Sequence, residues 1–259
     1  MQLAYLVSAV LFILGLKRLS HPDTARGGNR LAAIGMLLAV VATLVGEQII
    51  TWQWIIAGLI IGALIGGFMA RFVKMTAMPQ MVGLFNGFGG LASGLVATAE
   101  YLKYTMGAET GALAINSSIS IMLGTLIGAV TFSGSLIAFG KLQGIVTEKA
   151  VRYPAQQFLN AVLFLGILAV MAYLVVMTPE AITASDTGTV NIIYYALWGA
   201  AMLLGILLVI PIGGADMPVV VSLLNSYSGL AASAAGFVLN NNVLIISGAL
   251  VGASGLILT

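Results

Sequence analysis

The sequence predicts an all-α polytopic membrane protein with about nine transmembrane helices, and three observations support this fold class. Hydrophobic residues make up 60% of the 259 residues, charged residues only 7%, and the mean hydropathy is +1.10. Soluble globular domains are about 25% charged, so this composition lies outside their range. Apolar runs of membrane length recur along the chain, and Lys and Arg are concentrated in every second break between them. We therefore expect residues 1–259 to form one transmembrane domain.

The individual spans follow from the apolar runs, each of which ends at a short polar break. A membrane-crossing helix needs about 20 predominantly apolar residues, with a range of about 17 to 25. Nine runs approach or meet this length, near residues 3–17, 31–46, 54–70, 79–100, 116–139, 158–177, 190–210, 218–239 and 243–258. The chain contains no interdomain linker and no stretch long enough for a soluble domain.

The distribution of positive charge predicts the orientation of these spans. Breaks after odd-numbered spans carry nine of the ten basic residues, namely Lys17, Arg18, Arg26, Arg30, Arg71, Lys74, Lys141, Lys149 and Arg152. Breaks after even-numbered spans carry only Lys103. Because cytoplasmic loops are enriched in Lys and Arg, we expect the N-terminus outside and the C-terminus in the cytoplasm.

Spans four and eight open with the same sequence pattern. Met78-Pro79 and Met217-Pro218 lie 139 positions apart, and each proline is followed seven residues later by an asparagine, Asn86 or Asn225. At about 1.5 Å rise per residue, both amides lie roughly 10 Å inside their helices, where polar groups are costly unless paired. Both helices start on the same side, so the repeat is parallel. We expect the two amides to face a shared interior cavity, the alternative being a pair of purely structural interhelical amides.

The second helix of each repeat and the glycine pattern give weaker predictions. Ser133-Gly134 and Ser254-Gly255 loosely extend the repeat to spans five and nine. Glycines spaced four apart allow helix backbones to approach closely. This spacing occurs at Gly58, Gly62 and Gly66, at Gly124 and Gly128, and at Gly248 and Gly252.

Titratable side chains are expected outside the membrane interior. Glu47, Glu100, Glu109, Glu180 and Asp186 fall at outer ends or in outer loops, whereas His21, Asp23 and Glu148 fall in inner loops. The absence of Cys excludes a thiolate site, and we expect no metal ligand set and no nucleic-acid partner. Asp216 immediately precedes the eighth span and has two interpretations. It either caps that helix or forms a gate or contact at the cytoplasmic mouth.

Several stretches together resemble one known family. They are Gly15-Leu16-Lys17-Arg18-Leu19-Ser20-His21-Pro22, Met75-Thr76-Ala77-Met78-Pro79, Thr131-Phe132-Ser133-Gly134-Ser135, and Gly213-Gly214-Ala215-Asp216-Met217-Pro218 followed by Leu223-Leu224-Asn225-Ser226-Tyr227-Ser228-Gly229. The chain resembles the membrane domain of the beta subunit of proton-translocating NAD(P) transhydrogenase. The resemblance implies hydride transfer between NADH and NADP⁺ coupled to inward proton flow. It also implies a multi-pass location in the bacterial inner membrane.

The same resemblance implies partners and cofactors beyond this chain. An NADP(H)-binding domain is expected after residue 259, so this chain itself is expected to bind no cofactor and to carry no hydride-transfer site. An alpha subunit is expected to contribute membrane helices and an NAD(H)-binding domain, and the two-subunit unit is expected to form a dimer. Without the resemblance, a secondary transporter or channel for a small solute or ion remains an alternative, as does a structural membrane anchor.

The resemblance also implies roles for individual residues. Asn225 and Ser135 match polar residues of the proton pathway, Gly255 matches a glycine close to it, and Asp216 matches an acidic residue that couples it to the NADP(H) domain. At Asn86 the sequence departs from well-known bacterial members, which carry a histidine there, whereas other members place the histidine on an alpha-subunit helix. We therefore assign Asn86 to the pathway and expect a partner helix to supply the imidazole, whose pKa suits proton relay at neutral pH.

Overall fold

The computed structural model describes residues 2–46, 52–108, 113–183 and 186–259, and this part of the chain is all-helical. It contains α1 (Gln2–Leu19), α2 (Pro22–Gly46), α3 (Trp52–Phe72), α4 (Met78–Thr105), α5 (Ile115–Leu142), α6 (Gln156–Thr183), α7 (Gly188–Val209), α8 (Met217–Val238) and α9 (Asn242–Leu258). Eight of these nine helices are long and apolar enough to cross a membrane, and α9, with 17 residues, is shorter. The predicted class of all-α polytopic membrane protein is confirmed. Glu47 and Glu109 lie outside the described residues.

The first compact unit, Met1–Met78, contains α1 to α3. The helices α1 and α2 pack closely, because a methyl group built on Gly28 would lie 2.7 Å from the carbonyl oxygen of Gly15. The glycines of α3 were predicted to pack closely against another helix, but no described residue packs against them. Methyl groups built on Gly58, Gly62 and Gly66 would meet nothing within 4 Å.

The second compact unit, Pro79–Thr259, contains α4 to α9, and α5 lies at its centre. Sixteen residues of α5 are buried, more than in any other described helix. An apolar core joins α4, α5, α6 and α7, where the rings of Tyr101 and Tyr194 stack with centroids 4.0 Å apart. The Tyr194 hydroxyl lies 2.7 Å from that of Thr125 and 2.9 Å from that of Thr98, so this polar group is satisfied inside the core.

The parallel repeat is visible in the structure at the start of α4 and α8. The turn Met75–Ala77 is a 3₁₀ helix leading into α4, and Gly214–Asp216 is a 3₁₀ helix leading into α8. The residue before each turn, Lys74 or Gly213, has an extended backbone, with ψ of 149° and 156° respectively. The proline that follows each turn falls in the first helical turn, where its missing N–H has no intrahelical partner to lose. The 139-residue repeat therefore extends three residues before the two methionines.

Candidate functional site

Close contact between α4 and α5 creates the surroundings of Asn86. A methyl group built on Gly128 of α5 would lie 2.7 Å from the carbonyl oxygen of Gly90 and 2.8 Å from the amide nitrogen of Gly94. A methyl group on Gly87 would lie 3.1 Å from Cβ of Ser135. Side chains larger than hydrogen at the glycine positions would hold the helices apart. The glycines therefore bring Asn86 within hydrogen-bonding reach of α5, as expected for small-residue helix contacts in membranes.

Asn86 joins three helices through two hydrogen bonds. Its Nδ2 donates to Oγ of Ser135 on α5 at 2.9 Å, and its Oδ1 accepts from Oγ of Ser228 on α8 at 2.8 Å. Asn86 is only 9% exposed and Ser135 is fully buried. Because a buried polar group needs partners, this polar cluster of Asn86, Ser135 and Ser228 fixes the relative positions of α4, α5 and α8.

Asn225 lies in different surroundings, although its depth in its helix matches that of Asn86. Its side chain is exposed and makes no hydrogen bond to any described residue. The expectation that both amides face one interior cavity stays a prediction, since within this chain only Asn86 of the two is buried. The structure brings Asn86 and Ser135 together, and the side chain of Asn225 makes no hydrogen bond to either.

The contact between α8 and α9 reproduces that between α4 and α5. A methyl group built on Gly248 would lie 2.6 Å from the carbonyl oxygen of Gly229 and 2.5 Å from the amide nitrogen of Ser233. Gly229 and Ser233 lie 139 positions after Gly90 and Gly94, and Gly248 lies 120 positions after Gly128. The pair α4–α5 is therefore equivalent to the pair α8–α9. Corresponding residues lie 139 positions apart in the first helices, α4 and α8, and 120 positions apart in the second helices, α5 and α9.

This equivalence corrects the sequence-based alignment of α5 with α9 and explains why Asn86 and Asn225 have different surroundings. A methyl group on Gly255 would lie 2.8 Å from Cβ of Ser226, which repeats the contact between Gly87 and Ser135 with the two residue types exchanged. Ser135 thus corresponds to Gly255, one residue from the predicted pairing of Ser133-Gly134 with Ser254-Gly255.

Both hydroxyls that bind Asn86 are replaced by glycine in the other half of the repeat. The counterpart of Ser135 is Gly255, and that of Ser228, 139 positions earlier, is Gly89. Asn225 therefore lacks the side chains that pair with Asn86. The sequence analysis did not identify Ser228 as a site residue. The signal that could have found it is the difference between Ser228 and Gly89, its counterpart 139 positions earlier.

Asp216 is exposed at the end of its 3₁₀ turn. It occupies the N-cap position of α8, but its side chain makes no capping hydrogen bond. The structure therefore shows no hydrogen-bonded cap, although Asp216 still lies at the positive end of the α8 dipole. The interpretation as a contact at the membrane mouth stays a prediction.

Comparison with known proteins shows the family. The family model for NAD(P) transhydrogenase beta subunit matches residues 1–259. Two sequences from Rhodospirillum rubrum, each named NAD(P) transhydrogenase subunit beta, are 49% identical to the chain over 259 residues. The alignments cover 99% of this chain and 53% of the relatives, so the chain spans about half the length of the curated relatives it matches. The chain belongs to the NAD(P) transhydrogenase beta subunit family.

Proposed function

We propose that this chain forms part of the membrane proton pathway of an NAD(P) transhydrogenase. In this proposal, hydride transfer between NADH and NADP⁺ is coupled to inward proton movement, and this chain performs no hydride chemistry itself. The observation that carries the proposal is the polar cluster of Asn86, Ser135 and Ser228, of which Asn86 and Ser135 are buried, between helices long and apolar enough to cross a membrane. Membrane-embedded polar groups are costly and commonly mark a transport path.

In the proposed complex, a partner subunit supplies a titrating group near Asn86. The hydrogen-bond partners of Asn86 among the described residues are serine hydroxyls, which do not titrate at neutral pH. An alpha-subunit helix would bring a histidine close to Asn86, Ser135 or Asn225, and its NAD(H)-binding domain would face the NADP(H)-binding domain of the beta subunit. The exposed amide of Asn225 is available to such a helix. The complex is proposed to be dimeric and to lie in the bacterial inner membrane with the N-terminus outside.

The proposed roles of the remaining residues divide between packing and coupling. Gly255 would preserve the close contact of α9 with α8 beside Asn225, because any side chain there meets Ser226. Asp216, whose exposed side chain makes no capping hydrogen bond, would contact the NADP(H)-binding domain at the cytoplasmic surface.

Proton uptake by vesicles containing the complete two-subunit enzyme tests the proposal. Asn86→Ala should lower the number of protons moved per hydride transferred, because it removes the amide that connects Ser135 and Ser228. Asn242→Ala, which truncates an exposed amide at the start of α9, is the matched control. Unchanged proton transport by the Asn86 variant, in an enzyme that does pump, would remove Asn86 from the pathway.

A second experiment tests the missing imidazole. Asn86→His should partly restore proton transport to a complex whose partner histidine has been replaced, since imidazole titrates near neutral pH. Strong proton flux through this chain reconstituted alone would contradict the need for a partner histidine. Solute-driven flux without any nucleotide would instead favour a secondary transporter.

A further inference from the structure

Lys141 is a buried cation near the end of α5. The sequence places it among loop cations, but it lies inside the helix and is 0% exposed. Its Nζ donates to the carbonyl oxygens of Ile210 at 2.7 Å, Ile212 at 2.8 Å and Lys149 at 3.0 Å. A lysine ammonium has three N–H donors and no acceptor, so all of its hydrogen-bonding capacity is used.

Two of the three carbonyls belong to residues 210–216, the link between α7 and α8. The last four carbonyls of a helix have no intrahelical partner, and a cation there also complements the negative end of the helix dipole. The last turn of α7 contains no basic residue of its own. Lys141 therefore supplies from α5 the positive charge that α7 lacks, and holds Ile210 and Ile212 just beyond its end.

The rest of the link is fixed to the loop that follows α5. The amide of Gly214 donates to the carbonyl oxygen of Glu148 at 2.8 Å, and the amide of Val151 donates to that of Ile210 at 3.3 Å. The link is thus anchored at Ile210, Ile212 and Gly214, every second residue. Asp216 lies two residues after Gly214, and its exposed side chain makes no cap hydrogen bond.

The same helix carries Ser135, the α5 partner of Asn86. Lys141 lies six positions after Ser135, which is about 9 Å along a helix. A displacement of α5 at the polar cluster would be transmitted to the link, because Lys141 hydrogen-bonds two carbonyls of the link.

We propose that Lys141 is a positioning residue for coupling: it makes α5 and the link bearing Asp216 move as one body. The inference rests on the proposed function, because it gives the route by which the polar cluster of Asn86 would reach the NADP(H)-binding domain. Lys141 itself touches no nucleotide and transfers no proton in this role.

The test compares Lys141→Met with Lys141→Arg and the wild type in the complete enzyme in vesicles. Methionine retains an unbranched stem without donors, whereas arginine retains the charge and five donors. Arg152→Met is the matched control, because it removes an exposed cation from the loop that follows α5. Two quantities are measured: hydrogen exchange of the peptides covering 148–151 and 210–216, and the acceleration of hydride transfer by an imposed proton gradient.

We expect exchange of these peptides in Lys141→Met to be at least about tenfold faster, since hydrogen bonds from a charged donor are lost. The acceleration by the gradient should fall severalfold, while hydride transfer without a gradient stays close to the wild-type rate. Lys141→Arg should be intermediate in both measurements, and Arg152→Met should match the wild type.

Unchanged exchange in Lys141→Met would overturn the anchoring role, and faster exchange with full acceleration would overturn the coupling role. If the methionine variant does not assemble, Lys141→Gln, which keeps two donors, gives the same two measurements. A wild-type enzyme insensitive to the gradient would overturn the proposed function, which is distinguishable from a loss of acceleration confined to the Lys141 variants.

Discussion

Truncating the two repeat asparagines should have unequal effects on stability. Asn86→Ala removes hydrogen bonds of 2.9 Å to Ser135 and 2.8 Å from Ser228, and it leaves both hydroxyls without this partner. Interhelical hydrogen bonds in membrane proteins contribute about 0.6 kcal/mol on average and up to about 1.7 kcal/mol, so two bonds give about 1–3 kcal/mol. Asn225→Ala removes an exposed amide without a described partner, and such changes usually stay within about 0.5 kcal/mol.

The comparison has an internal control, because both positions lie in α-helices. The gain in helix propensity on changing Asn to Ala is therefore common to both variants and cancels in their difference. The free energy of unfolding is measured by titrating the purified chain in mixed micelles with a denaturing detergent and following tryptophan fluorescence. Ser135→Ala, alone and combined with Asn86→Ala, gives a double-mutant cycle that isolates the α4–α5 bond. Equal destabilisation by the two asparagine variants would refute the asymmetry of the repeat.

Three further predictions concern the close helix contacts and the link before α8. Gly255→Ser should destabilise by about 1–3 kcal/mol through overpacking against Ser226, and adding Ser226→Gly should recover part of this loss; purely additive costs in detergent unfolding would contradict the reciprocal packing. Gly128→Ala should weaken the fold by a similar amount of about 1–3 kcal/mol, whereas Gly89→Ala, with open space around it, should not; equal melting temperatures would contradict the close contact. Asp216→Asn should leave insertion and unfolding free energy unchanged, because no cap bond is lost, but should impair coupled turnover in the complete enzyme; unimpaired proton pumping would remove Asp216 from coupling.

Physical differences between the two helix pairs account for what the repeat could and could not predict. The shared Pro and Asn positions correctly indicated equivalent helix starts, because they depend on local helix geometry. The two partners of Asn86 lie 49 and 142 positions from it along the chain. Ser135 is recognised as the counterpart of Gly255 only when α5 and α9 are aligned with an offset of 120 positions. That offset is set by the glycine contacts and is not evident from the loose similarity of the sequences.

The sequence alone determined the membrane character of this protein, the number of helices in the part of the chain that the structure describes, and the positions of the repeated asparagines. These properties follow from the length and composition of each segment, since an apolar run of sufficient length must form a helix to satisfy its backbone in lipid. Tertiary structure alone decided that Asn86 is buried and hydrogen-bonded while Asn225 is exposed, and that Lys141 is buried among carbonyls. Those outcomes depend on which helix face packs against which neighbour, and that choice is made by contacts between residues far apart in the chain.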